Sequence, residues 1–223
     1  QYIYDGLGQL IRENSKTQDK TITYTYDAGR NRTEKKEYAY TTGDPGEALQ
    51  TIAYSYGDEN WKDKLTAIGG EAISYDAIGN PLNWNGMAMA WANGRQLASQ
   101  EKEGLQISHT YNDSGIRTQK TVNGQTTTYY LNGSQILSQE TGNERLDFLY
   151  DEAGDLLGFK YAGGRYYYIR NLQGDITGIL DSAGQTIVSY SYDSWGSPLS
   201  ITGSEADTIG QKNPFRYRGY YYD

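Results

Sequence analysis

The sequence predicts an all-β protein, a continuous antiparallel meander of short strands. Three observations predict it. A short motif recurs: apolar, any, aromatic, any, Tyr, then Asp-x-x-Gly. From Gly70 on, turn glycines fall about ten residues apart, the interval of strands joined by hairpins. The composition, with 23 Tyr and only 4 Pro in 223 residues, is that of strands. A mean hydropathy of -0.79 and a net charge of -8 would by themselves point to disorder. That scale counts Tyr as polar, however, whereas each ring buries a large apolar area and keeps a hydroxyl for a partner. The expected core is made of amphipathic aromatic layers rather than an oily centre.

The motif has a physical logic. Side chains alternate across a strand, so the apolar residue, the aromatic and the Tyr share one face. The Asp stands first in a type I turn, where its carboxylate accepts backbone N–H bonds from residues ahead. The Gly falls fourth, where a positive φ penalises a β-carbon. Each copy is a strand, a tight turn and the start of an antiparallel partner.

Along the chain, Tyr4-Asp5-x-x-Gly8 lacks only the upstream half of the motif. Ile22-x-Tyr24-x-Tyr26-Asp27 follows, with its glycine one residue early at Gly29. Residues 41–48 read as a polar loop around Pro45-Gly46. Ile52-x-Tyr54-x-Tyr56 closes another strand. Residues 57–65 (GDENWKDKL) read as an irregular or briefly helical connection, with Trp61 and Leu65 on one small apolar face. Ile73-x-Tyr75-Asp76-x-x-Gly79 is a shortened copy, and Met87-x-Met89-x-Trp91 repeats the apolar-aromatic face. Ile107-x-His109-x-Tyr111-Asn112-x-x-Gly115 has Asn for Asp. Leu146-x-Phe148-x-Tyr150-Asp151-x-x-Gly154 and Val188-x-Tyr190-x-Tyr192-Asp193-x-x-Gly196 are complete. Between them, Asn85-Gly86, Asn93-Gly94, Asn123-Gly124 and Asn132-Gly133 carry the type I′ hairpin signature, and Gly164 is counted among the turn glycines. Residues 203–211 read as a polar loop. In the aromatic-basic tail, 213–223, Arg216 and Arg218 alternate with Phe215 and Tyr217, as in a strand with one charged face or a segment that docks.

A meander of about twenty strands cannot remain one flat open sheet, because twist makes such sheets curl, close or split. A barrel, a propeller and a spiral are available; a unit of two strands in about twenty residues favours the spiral over the propeller.

The motifs, with WKDKL (61–65), YDAIGNPL (75–82), WANGRQL (91–97), YNDSGIRTQKTVNG (111–124), YIRNLQGDITGI (168–179), YSYDSWGSPL (190–199) and NPFRYRGYYYD (213–223), resemble the RHS/YD-repeat family. That family includes bacterial wall-associated and polymorphic toxin proteins, the C component of insecticidal toxin complexes, and teneurins. The resemblance implies a β-sheet strip wound into a curved, spiralling shell, part of a hollow cocoon that in toxin members encloses a C-terminal toxin. It divides the chain into a repeat β-spiral over 1–202 and, over 203–223, a loop and the start of the RHS-associated core segment. In some members that segment cuts the chain autoproteolytically with aspartates, which would lie beyond Asp223. The chain therefore reads as a piece of a longer protein.

Candidate chemistry is sparse. His109, the only histidine, occupies the slot held by Tyr24, Tyr54, Phe148 and Tyr190, and so reads as a packing aromatic. With one His and no Cys, a zinc site or a Cys-His nucleophile lacks ligands. A glycosidase would need two carboxylates facing across a sugar. Yet Asp5, Asp27, Asp76, Asp151 and Asp193 recur turn after turn, as capping requires and catalysis does not. No catalytic residue, metal or cofactor is expected. Trp84 and Trp195 stand beside turns, where exposed rings would stack on sugars, and are the candidate ligand contacts. The excess of acid argues against nucleic acid, and no apolar run is long enough for membrane insertion as a helix.

The expectation is a non-enzymatic module of a secreted or cell-surface, cell-wall-associated protein. It packs on neighbouring RHS repeats and encloses or presents a C-terminal effector. The alternatives are an adhesive module that binds glycan or protein, and a carbohydrate-active enzyme.

Overall fold

The computed structural model describes residues 1–223, which form two compact units, Gln1–Gly104 and Leu105–Asp223. Both are antiparallel meanders in which strands pair with their sequence neighbours, the break between β7 and β8 in the first unit excepted.

The first unit contains β1 (Tyr2–Tyr4), β2 (Leu10–Ser15), β3 (Lys20–Tyr26), β4 (Arg32–Ala39), β5 (Gln50–Ser55), β6 (Ala67–Ile68) and β7 (Glu71–Ala72), paired in that order. A second ladder joins β8 (Asn83–Trp84), β9 (Met87–Ala92) and β10 (Gln96–Lys102). Its buried apolar residues are few, Ile22, Tyr24, Tyr38 and Ile73. Glu13, Asn14, Thr21 and Glu37 are buried beside them. These polar groups are satisfied internally, as burial demands. Thr21 Oγ1 donates to the Thr41 carbonyl (2.7 Å), Asn14 Oδ1 accepts from Arg12 Nε (2.8 Å), and Glu37 pairs with Lys20 and with Lys35 (2.8 Å).

The second unit contains β11 (Leu105–Tyr111), β12 (Arg117–Val122), β13 (Gln125–Asn132), β14 (Gln135–Thr141), β15 (Glu144–Tyr150), β16 (Leu156–Tyr161), β17 (Gly164–Arg170), β18 (Ile176–Leu180), β19 (Thr186–Tyr192) and β20 (Pro198–Thr202). Its core is oilier than the aromatic layers expected. Leu146, Phe148, Leu156, Phe159, Ile176, Ile179, Ile187, Val188 and Tyr190 bury together, with Ile209 and Phe215 from beyond the last strand.

The Asp/Asn-x-x-Gly segments are five-residue loops. In the first, Asp5 Oδ1 accepts the N–H groups of Leu7 (2.9 Å) and Gln9 (2.8 Å), while Gly8 donates to the Asp5 carbonyl (3.1 Å). Asp76, Asn112, Asn171, Asp181 and Asp193 accept the same pair of bonds. Asp151 takes the Asp155 N–H (2.8 Å). At each strand end the register slips by one residue, so that Tyr150, for example, pairs with Leu156 but Leu149 with Gly158. The returning strand thus carries a bulge.

Several local expectations change. The Tyr26 loop closes without glycine: Arg30 holds the fourth position at φ 68° and donates to the Asp27 carbonyl (3.0 Å). Residues 57–65 are, of the two forms expected, the irregular one, with Asp58 accepting the Asn60 and Trp61 N–H groups (2.9 Å each). The hairpin after β16 turns on Ala162-Gly163, both at positive φ, rather than on Gly164. Gly164 is small for another reason: a β-carbon there would lie 2.6 Å from the Tyr166 hydroxyl. Asn132-Gly133 is not a type I′ turn. Asn132 stays in the strand, and Gly133 leads a two-residue loop whose second residue, Ser134, has ordinary φ, as type II′ requires. Residues 203–211 are not simply a loop, since Ala206–Gly210 winds into a π-helical turn that buries Ile209.

Candidate functional site

The feature that no repeat explains is the closure of the second unit by its own tail. Residues 213–223 do not form a strand of the sheet. They make a tight hairpin, held by Arg216 N–H to the Tyr220 carbonyl (3.0 Å) and Tyr222 N–H to the Pro214 carbonyl (2.7 Å), with Arg218 at φ 55° in its tip. The hairpin lies on the aromatic face. Phe215 meets Phe148 edge-on at 4.8 Å between centroids, and Tyr221 meets Tyr129 at 5.5 Å. Tyr217 reaches Tyr192 at 5.7 Å by passing over Gly196, where a β-carbon would come within 2.4 Å of its ring.

Asn213 is fully buried and fully used. Its Oδ1 accepts from the Tyr168 hydroxyl (2.7 Å), and its Nδ2 donates to the Phe215 carbonyl (2.6 Å) and the Tyr190 hydroxyl (3.2 Å). Arg216 is buried with no carboxylate in ion-pair reach. Its guanidinium bonds the Asn213 and Gly210 carbonyls (3.3 and 3.2 Å) and sits between the Tyr190 and Tyr222 rings. Arg218 is the more exposed arginine and docks on Asp175, its N–H donating to Oδ1 at 2.9 Å. Lys212 pairs with Glu144, and Asp223 with Arg117 (2.7 Å) and Lys120 (3.1 Å). Lys212, followed by the Tyr161 hydroxyl, holds the Glu144 carboxyl below its ordinary value. Burial pushes the Tyr168 phenol well above its usual value and raises that of Tyr190, where Asn213 acts the other way.

The motif residues serve the turns and the latticework between strands. Hydroxyls of Tyr26, Tyr75, Tyr150 and Tyr192 donate to the carbonyls of Leu10, Leu65, Ile136 and Ile176. Asp27 and Asp76 are held below the ordinary carboxylate value, the first chiefly by the Asn31 side chain, the second chiefly by the Asn80 N–H. His109 packs in its aromatic slot opposite Lys120. Burial lowers its basicity, Arg117 and Lys120 push the same way, and Asp223 opposes them. No three His, Asp or Glu side chains converge as metal ligands.

The two candidate tryptophans differ. Trp84, 41% exposed, lines a cleft of about 260 Å³ with Ile68, Ala72, Ile73 and Glu71. The cleft lies where β7 gives way to β8. There the Asn83 side chain replaces a ladder rung, bonding the Ser74 N–H (2.8 Å) and the Ala72 carbonyl (2.7 Å). Trp195, 52% exposed, sits in the Asp193 loop, its backbone N–H on the carboxylate.

Sequence reasoning did not single out Asn213, Glu144, Arg117 and Lys120. Asn-Pro at 213–214 is a turn signal, but its partners lie on strands far back in the chain.

A family model described as teneurin YD-shell matches residues 1–223. The tRNA3(Ser)-specific nuclease WapA of Bacillus spizizenii is 34% identical over 228 residues, covering 99% of this chain and 9% of the relative. The tRNA nuclease WapA of Bacillus subtilis strain 168 is 35% identical over 228 residues, with the same coverage of both. The chain thus spans under a tenth of the length of these curated relatives. The solved TcdB2-TccC3-Cdc42 complex superposes on the whole chain with a TM-score of 0.74 at 17% identity, over 13% of that structure's chain. TcdB2-TccC3 without its hypervariable C-terminal region gives 0.72 at 18% identity, again over the whole chain and 13% of the other.

Proposed function

The chain belongs to the teneurin YD-shell family, and from that premise we propose that it is a non-catalytic stretch of shell in a longer RHS-type protein, secreted or at the cell surface, that encloses a C-terminal effector. Residues 203–223 begin the RHS-associated core segment, and neighbouring repeats of the same protein are its packing partners. The relatives named as tRNA nucleases match over 9% of their length. A nuclease is accordingly the expected kind of effector, carried outside the matching stretch.

The observation that supports this best is where the carboxylates go. Asp5, Asp76, Asp151 and Asp193 are engaged by the N–H groups of their own loops. Architecture therefore accounts for the recurring motif carboxylates. The test is native-state proteolysis of the full-length protein. Its C-terminal polypeptide should be cut at least about tenfold more slowly than the same polypeptide produced alone. Equal rates would overturn enclosure.

One observation favours a second reading, a saccharide site at Trp84. An exposed indole beside a carboxylate and an apolar floor suits the face and hydroxyls of a sugar. Titration of the 223-residue chain with neutral oligosaccharides should give a heat of binding that Trp84→Ala removes. Unchanged binding by that variant, or no binding by the parent, rules the site out. Trp195, outside that cleft, is expected to be dispensable.

A further inference from the structure

The loop after β11 puts two cations where the repeats that turn at Gly154 and Gly174 build their core, as the Asp27 repeat does with Arg32 and Lys35. Residues three apart on a regular strand face opposite ways. Here the register slips between Thr110 and Tyr111, so Arg117 pairs with Tyr111 and Lys120 with His109. The bulge at Thr118 absorbs the odd residue and turns Arg117 and Lys120 onto one face, that of the motif aromatics. The equivalent slots after Gly154 hold Leu156 and Phe159, and those after Gly174 hold Ile176 and Ile179, all buried apolar residues. Two like charges in such positions oppose folding unless an anion meets them.

One does. A single oxygen, Asp223 Oδ1, lies 2.7 Å from Arg117 Nη2 and 3.1 Å from Lys120 Nζ. The two cationic side chains are 24% and 17% exposed, the carboxylate 49%. Arg117 also lies over the Tyr129 and Tyr221 rings, at 5.4 and 5.9 Å. The Tyr129 hydroxyl is buried beside them with no partner in hydrogen-bond geometry.

We infer that Arg117 and Lys120 form a carboxylate receptor whose ligand is Asp223 of the same chain, and that this pairing latches the C-terminal hairpin onto the second unit. The more buried half of the pairing is the receptor, built into the sheet, and the half-exposed carboxylate is the part able to leave. Asn213 and Arg216 anchor one end of the hairpin within the core, and Asp223 fastens the other. This latch does not depend on what the full-length protein encloses.

Hydrogen exchange of the folded 223-residue chain tests it. The reporters are the Arg216 and Tyr222 amides, which donate across the hairpin. The β19 amides report on the sheet. Asp223→Asn and Lys120→Gln should each speed hairpin exchange about tenfold and leave β19 unchanged, and the double variant should exchange no faster than either single one. Raising chloride from about 0.05 to about 0.5 M should speed the parent and not Asp223→Asn. Hairpin exchange within twofold of the parent in both single variants, or effects that multiply in the double variant, would overturn the latch. Parent rates that change on tenfold dilution would overturn its assignment to the same chain and place the carboxylate on a second copy.

Discussion

Arg30 does with an L-residue what Gly8, Gly79, Gly115, Gly154, Gly174, Gly184 and Gly196 do without a β-carbon. Its φ of 68° lies just below theirs, and it makes the same bond back to the loop's first carbonyl. The left-handed conformation costs an ordinary residue about 1–2 kcal/mol. Its side chain is exposed, so burial does not offset this. Arg30→Gly should therefore stabilise the first unit, by about 0.5–1 kcal/mol once the greater freedom of glycine in the unfolded chain is subtracted. Denaturant unfolding followed by circular dichroism measures it, and an unchanged or lower midpoint would show that the Asp27 loop carries no such strain. The early Gly29 in the sequence is thus a displaced glycine, and the loop forms because Asp27 still captures the Asn31 N–H at 2.8 Å.

At the scale of the element, what was legible is what is local. An Asp or Asn whose side-chain oxygen caps the amides two and four residues on needs nothing outside its five-residue loop, so the meander and its turns follow from spacing. The turn types were less legible where glycine had two jobs. Gly164 yields to the Tyr166 ring rather than to a turn, and no periodicity distinguishes those causes. The preference for Tyr over Phe was visible as composition, but its reason is tertiary. Each register slip interrupts the ladder, and the hydroxyls of Tyr26, Tyr150 and Tyr192 bond a carbonyl on the preceding strand nearby. The tail was legible as a unit and illegible as a site. Asn213 finds Tyr168 across 45 positions, and Asp223 finds Arg117 across 106. Trp84 was singled out for standing beside a turn, whereas its cleft comes from the break between β7 and β8, which no sequence pattern announced.

Across the whole molecule, the use of phenols as core-builders sets how it must respond to base. Burial raises the phenols of Tyr26, Tyr56, Tyr75 and Tyr150, and does so more strongly at Tyr168, Tyr192 and Tyr221. A raised phenol is neutral in the folded chain at a pH where the unfolded chain has already lost that proton. The folded state then binds more protons, and stability falls as pH rises. The contribution is intact below the ordinary tyrosine value of about 10 and is lost above it. Because the hydroxyls of Tyr26, Tyr56, Tyr75, Tyr150 and Tyr192 donate to main-chain carbonyls, and those of Tyr168 and Tyr221 to the Asn213 and Gln139 side chains, ionising one removes a hydrogen bond as well as burying a charge. The shifted phenols should consequently ionise together, in one step that coincides with the loss of strand structure. Tyrosinate absorbance and circular dichroism recorded on the same alkaline titration would check this. Gradual ionisation of all the tyrosines near the ordinary value, with the strand signal intact, would mean that the layers are wetter than this packing requires.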